Sequence, residues 1–407
     1  MPQLLFLSHR LPYPPDKGEK IRAWHILKRL ARTHDVHLGC LSDERVDSSQ
    51  LGELRKICAS VGCFRMSPVV QKVRALARMR SGRPLTVDVF HSGRLSKWVG
   101  ETLSRNPIRA IFAFSSAVAP YVRGRRRLYR VLDMVDIDSE KWRAYAQYHG
   151  WPMHDVYRRE AETLLALERQ LALEFDRTLF VSCPEAQRFI ELAPESRERV
   201  GWLANGVDLD MFSPKHSFPS PFGQTVANLV FTGTMSYWPN IDAVTWFVDT
   251  VLPIIRSSRP MVHFHIVGAS PSRSVSRLSQ TPGVSVTGRV PDVRPFLAHA
   301  DVAVAPLRLA RGIQNKVLEA MAMGRPVVAT PEAFEGIDAL PGRDVLVANT
   351  AELMAQNILG VLEKRYPSLG SAARSAIERN HSWSHTLKAL DTLFPAAPFN
   401  TTRAINH

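Results

Sequence analysis

The chain has 407 residues, of which 45% are hydrophobic and 22% charged, a globular composition long enough for two cores rather than one. Lys and Arg outnumber Asp and Glu by 52 to 38, a net charge of +14 that favours anionic partners such as nucleotides or acidic lipids; the basic residues are dispersed and no nucleic-acid recognition motif appears, which sets DNA and RNA aside. The longest uncharged stretch, Ala110 to Val122, is shorter than the roughly 18 to 20 residues that span a bilayer, and the four cysteines show neither Cys-x-x-Cys nor zinc-ligand spacing, so they read as free thiols of a reducing, cytoplasmic compartment.

Short β-branched and apolar runs alternate with segments of helical period, the pattern of parallel sheets flanked by helices in an α/β protein. The N-terminal run Gln3 to Ser8 is too short and turns polar too soon for a signal peptide, and it reads as a first buried strand. Further strands are predicted at 36–41, 109–114, 128–132 and 178–182, with helices at 19–33, 50–60 and 95–104 and a long helical region over 139–173. The breaker-rich stretch Phe212 to Gly223, with Pro214, Pro219 and Pro221, reads as a linker. A second series follows, with strands at 227–232, 262–267, 284–287, 301–305, 326–329 and 344–347, and helices at 240–256, 293–299, 315–323, 350–364 and 371–379. The expected organisation is a first domain over 1–205, a linker over 206–225, a second domain over 226–380 and a final helix with a tail over 381–407, with a cleft between the domains.

The most informative stretch is Ala310 to Thr330, a glycine-bearing loop, a short helix, a turn at Gly324 and an apolar strand. Arg311 and Lys316 stand at or just before the first helical turn, where N–H groups and the helix dipole already create positive potential. Two cations there make sense if an anion joins them, and a phosphate or diphosphate is the usual solution. Glu319, on the same helix face as Lys316, is placed to accept hydrogen bonds from a pair of sugar hydroxyls, so the pair suggests a nucleotide sugar. The plainer alternative is that Arg311 and Lys316 are solvated charges and Glu319 an i,i+3 partner. The turns at Gly233-Thr234 and Gly268 follow strands on the same predicted sheet edge as the Gly312 loop, where open parallel sheets bind ligands.

Landmarks along nearly the whole chain resemble the retaining glycosyltransferases of family 4, which have the GT-B fold of two facing Rossmann-like domains. They are Pro15-Asp16-Lys17-Gly18, Phe180-Val181-Ser182, Asn205-Gly206-Val207-Asp208, Phe231-Thr232-Gly233, Ile266-Val267-Gly268, Thr287-Gly288-Arg289-Val290, Ala300 to Pro306 and Lys316 to Thr330. Leu132 to Trp142 and Arg311-Gly312-Ile313-Gln314-Asn315-Lys316 further resemble sugar transferases associated with exopolysaccharide and exosortase (PEP-CTERM) systems.

The resemblance implies a nucleoside-diphosphate sugar as donor, a saccharide or lipid-linked acceptor, and no metal. It assigns Glu319 to the ribose hydroxyls, the loop of Gly312 and Ile313 to phosphate and sugar, Arg289 and Val290 to the base, and Lys17 and Gly18 to the opposite side of the cleft, with Gln314 and Asn315 as further donor-binding candidates. Two departures stand out. The family's glutamate eight residues before the Glu319 position is Arg311 here, and its arginine and lysine after the Phe-x-Gly strand are Thr234 and Pro239. A relocated cationic clamp of Arg311, Lys316 and Arg308 would answer the second departure.

Acceptor-side candidates for positioning or deprotonating a hydroxyl are His9, Asp133, Asp136 and Asp138, each of which could equally be a lining residue, cap or loop charge. Trp24, Trp142 and Trp151 offer an acceptor platform or ordinary helix packing. Asp136-Ile137-Asp138 is the alternative metal site, and Arg123 to Arg127 and the basic run Val69 to Arg80 are the candidate contacts with an anionic inner-membrane surface. A catalytically silent nucleotide-sugar-binding scaffold and a nucleotide-sugar epimerase are the rival functions.

Overall fold

The computed structural model describes residues 1–395 apart from 17, 68–70, 72, 74–81, 224–226 and 311. Lys17, Arg311 and most of the basic run 69–80 therefore lie outside the described residues. The chain forms two compact units, Met1–Leu203 with the returning segment from Leu387, and Ala204–Thr386.

The first unit is built on a seven-stranded sheet of order β3-β2-β1-β4-β5-β6-β7. The strands are β1 (Gln3–Ser8), β2 (Asp35–Ser42), β3 (Ser60–Arg65), β4 (Ile108–Phe114), β5 (Tyr129–Val135), β6 (Arg177–Phe180) and β7 (Val200–Trp202), all paired in parallel. Central strands read as unbroken apolar runs because helices cover both faces, and Leu4, Leu5, Phe6 and Leu7 have no exposed surface. From Leu387 the chain rejoins this unit: Asp391 pairs with Arg29, and Phe394 packs 6.0 Å from Phe112 and 5.8 Å from Tyr129.

The second unit holds six parallel strands of order β10-β9-β8-β11-β12-β13. These are β8 (Ala227–Thr232), β9 (Val262–Val267), β10 (Val284–Val286), β11 (Val302–Ala305), β12 (Val327–Ala329) and β13 (Leu346–Val347). In both sheets the order reverses beside the first strand of the unit, the doubly wound Rossmann arrangement that places ligands beyond the strands' carboxyl ends.

Several sequence expectations change. The predicted helix 50–60 is shorter, Ser48–Arg55, and the chain goes on as edge strand β3, where a Cβ on Gly62 would stand 2.6 Å from the Trp98 ring. The region 139–173 is two helices, Asp138–Gln147 and Met153–Glu174, separated by a segment holding Gly150 and Pro152. The helix Cys183–Leu192, capped by Ser182 Oγ, and the three-residue strand β7 were not foreseen. The helix expected from Asn240 starts at Trp238, with Pro239 in its first turn, and passes through a π-helical turn, Phe247–Val251, just ahead of Pro253. The final helix is two short ones, Trp383–Thr386 and Lys388–Leu393.

Candidate functional site

The carboxyl edge of the second sheet gathers residues from three connections. After β8, Gly233 N donates to Val267 O at 3.0 Å and Met235 N to Ala269 O at 2.8 Å, so the β8 and β9 turns are stitched together. Gly268 has φ 152°, and a Cβ there would overlap the carbonyl oxygen of Gly233, so only glycine permits this approach. After β11, Gly312 takes φ 64° and buried Ile313 leads into the helix Asn315–Ala322. Its N-cap residue, Gln314, makes no side-chain cap and instead donates from Nε2 to Gly312 O at 3.2 Å, leaving the helix start to its backbone N–H groups. Asn315 Oδ1 accepts from Asn205 Nδ2 at 3.2 Å.

Lys316 reaches back across this edge. Its Nζ donates to Asn240 Oδ1 at 2.6 Å and stands 4.3 Å from the ring centroid of Phe231. Asn240 is itself buried, and its Nδ2 donates to Thr234 O at 2.9 Å. The side of Gly233 is left bare for both: a Cβ there would lie 2.7 Å from Asn240 Nδ2 and 3.2 Å from Lys316 Nζ. Burial pushes the Lys316 ammonium down to about 7, with Glu319 opposing the shift. Burial also pushes the Glu319 carboxyl up to about 7, opposed by Lys316. An anion arriving here would favour the charged lysine and could draw on the helix-start N–H groups.

Thr234 and Arg289 are exposed and Val290 half-buried, beyond β8 and β10. Arg308 does not join Lys316 as expected: its Nη2 pairs with Asp242 at 2.5 Å and its guanidinium lies 5.6 Å from the Trp246 ring, because Asp242 lies on the neighbouring helix Trp238–Trp246. Asn240 was missed by the sequence reading. The signal available was its position directly after Pro239, where the resemblance expects a cation.

In the first unit, the reading of Asp133 as an acid–base group is corrected. It has no exposed surface, its carboxylate receives Arg22 Nε at 2.9 Å and Nη2 at 3.2 Å, and Oδ1 also receives Val135 N at 3.1 Å. Its lone pairs hold a buried cation and a strained strand end: Val135 has φ 69°, and the β5–β6 register slips between Asp133 and Val135. Asp136 is half-buried, its carboxyl pushed up to about 7 by burial and by Glu185 and Asp138. Asp138 does not cap its helix; the N-cap residue is Ile137, whose N–H goes to Glu185 Oε1 at 2.8 Å. His9 packs 5.4 Å edge-on to Phe90 and 5.9 Å from Phe114, and burial with nearby Arg10 pushes it down to about 4, so it is neutral at pH 7. Gly18 is exposed and opens the helix Gly18–Leu30.

The tryptophans do not form one platform. Trp24 lies 5.0 Å from Tyr13, Trp142 packs against the hydrophobic core and Tyr157, and Trp151 is 84% exposed. Three glutamates escaped the sequence reading. Besides Glu185, Glu160 accepts from Leu85 N and Thr86 N at 2.6 and 2.8 Å, and Glu168 accepts from Ser139 N and Oγ at 3.2 and 2.5 Å. For Glu160 and Glu168 the signal was acidic residues eight apart on the buried stripe of one helix. No helix among the described residues is long and apolar enough to cross a membrane.

Residues 227–364 match the family model of glycosyl transferases group 1. The chain is 21% identical over 373 residues to an uncharacterized 44.6 kDa protein in the cps region of Klebsiella pneumoniae, covering 88% of this chain and 90% of that one. It is 26% identical over 245 residues to the D-inositol 3-phosphate glycosyltransferase of Mycolicibacterium smegmatis, covering 55% and 53% of the two chains. The crystal structure of HepE of Anabaena in complex with UDP and glucose superposes with a TM-score of 0.67 at 16% identity, covering 97% of this chain and 99% of that one. The fold is that of the GT-B glycosyltransferases, and the second unit carries the glycosyltransferase sequence match.

Proposed function

We propose that the protein is a retaining glycosyltransferase that moves a sugar from a nucleoside diphosphate to a saccharide or lipid-linked acceptor in bacterial exopolysaccharide or cell-surface glycan synthesis. The observation that carries this reading is that the family-matched stretch 227–364 contains the sheet edge where Gly233, Gly268, Asn240, Lys316 and Glu319 converge. The relative in a cps region supports the exopolysaccharide role, the exosortase-linked kind rests on the sequence resemblance alone, and the UDP and glucose bound by HepE support a nucleotide-sugar donor.

In this reading the departing diphosphate meets the Lys316 ammonium and the N–H groups at the start of the helix Asn315–Ala322. Fixed donors of this kind stabilise developing charge without reorganising. Gly233 and Gly268 keep the floor of the site free of side chains, and Glu319 takes the ribose hydroxyls. Arg311 adds a second cation in place of the family's glutamate, and turnover proceeds without a bound metal. Same-face attack assisted by the leaving phosphate requires no enzymic nucleophile, and none is assigned.

The test is a thermal-shift screen against UDP-, GDP- and ADP-sugars, followed by nucleotide release with acceptor saccharides with and without EDTA. Selective stabilisation that disappears in Lys316→Met, with nucleoside diphosphate released only when acceptor is present, supports the transferase. Donor binding with no release on any acceptor would instead favour a silent binding subunit, the alternative raised by Arg311 at the glutamate position.

A further inference from the structure

At the opposite edge of the second sheet, where the strands begin, the segment Pro214–Phe218 packs beside His299 and Arg325. His299 follows the helix Arg294–Ala298 and precedes β11, and Arg325 follows Gly324 and precedes β12. Together they line a cavity of about 310 Å³ whose polar residues are Lys215, His216, Ser217, His299 and Arg325, with no carboxylate among the described residues of its wall.

The loop and rings of this cavity are held in place. His299 Nε2 donates to Phe218 O at 2.7 Å and His216 Nε2 to Asp210 O at 2.6 Å. Among the described residues, Arg325 Nη1 donates a long bond of 3.4 Å to Ala300 O, and its buried Nε has no hydrogen-bond partner. Asp301, whose charge acts on Arg325, lies outside the cavity wall, and its Oδ2 receives Asn228 N at 2.7 Å. Lys215 is exposed and forms no ion pair among the described residues. A half-buried guanidinium with an unmet N–H, in a cavity wall that carries a second cation and, among the described residues, no carboxylate, has hydrogen-bonding capacity to spare.

We propose that this cavity is an anion site for a phosphate group, with Arg325 and Lys215 as its charged donors, separate from the carboxyl-edge site. Its volume suits a small phosphorylated molecule or one phospholipid headgroup rather than a polymer. The inference does not depend on the glycosyltransferase reading, since it concerns the other edge of the sheet.

The experiment is calorimetric titration of the full chain with inorganic phosphate at constant ionic strength, in a Lys316→Met background that removes the carboxyl-edge cation. Saturable binding is expected, weakened at least about tenfold by Arg325→Gln and by Lys215→Gln and unchanged by Arg277→Gln, an exposed cation of the same unit. Lys215 is a surface side chain, so its loss reports on binding without endangering the fold. Retention on phosphatidic acid vesicles but not on phosphatidylcholine vesicles, lost in Arg325→Gln, would assign the phosphate to a lipid headgroup; phosphate binding without retention would assign it to a free molecule. Absence of both, or equal phosphate affinity in Arg325→Gln, overturns the site.

Discussion

Lys316 donates its ammonium to the side-chain oxygen of Asn240 at 2.6 Å, linking the helix after β11 to the helix after β8 across the carboxyl edge of the second sheet. Asn240 is neutral, so it orients the cation without discharging it, and the positive charge remains available to a phosphate. Replacing Lys316 by methionine is expected to lower turnover about 10²- to 10³-fold with the fold intact. Asn240→Ala should cost about tenfold, the worth of one charge-assisted hydrogen bond. Asn240→Asp should weaken donor affinity more than Asn240→Ala, because the added carboxylate opposes the diphosphate. Steady-state kinetics and donor titration check all three, and unchanged turnover in Lys316→Met would remove the lysine from the reaction.

Burial pushes Lys316 down and Glu319 up, each to about 7, in the unliganded protein. A diphosphate raises the lysine's pKa, so above about pH 7 donor binding should take up protons as neutral lysine becomes charged. Ribose hydroxyls donating to Glu319 favour its ionised form, so below about pH 7 binding should release protons. Calorimetry in buffers of different ionisation enthalpy should show this change of sign. Lys316→Met should abolish the uptake and Glu319→Gln the release.

Asp133 and Arg22 form a buried pair whose separate members cannot be spared. Asp133→Leu strands the Arg22 cation and should destabilise the first unit by about 3 to 5 kcal/mol, with Arg22→Met plus Asp133→Leu recovering part of the loss. Chemical denaturation measures the stability. Kinetics below the melting range should show the pH profile of Asp133→Asn unmoved, as a structural role requires.

Glu168 has its pKa pushed up to about 8 by burial, against an ordinary value of 4.5. Between those values the folded state binds more protons than the unfolded one, so stability falls as pH rises, by at most about 1.4 kcal/mol per unit. Glu168→Gln should remove that slope, gaining on the natural protein between about pH 5 and about pH 7.5 in urea titrations. Parallel curves for the two proteins would show that the carboxyl is ionised throughout.

The sequence by itself determined the fold class and most of the strands, because buried parallel strands must be apolar along their whole length, as Leu4 to Leu7 and Val302 to Ala305 are. It also marked the Gly233, Gly268 and Gly312 turns and the pairing of Lys316 with Glu319 on one helix face, since these depend on neighbours within a few residues. Edge strands β3 and β7 escaped because partly exposed, short strands carry little periodic signal. Partners distant in the chain were decided by tertiary structure alone. Asn240 under Lys316, Asp242 on Arg308, Arg22 on Asp133, and Glu160 and Glu168 on helix starts are each 29 or more positions apart. A side chain's charge is written in the sequence, but what answers that charge depends on which segments the sheets bring together. That is why Asp133 looked like a reactive acid in the sequence and is a structural anion in the fold.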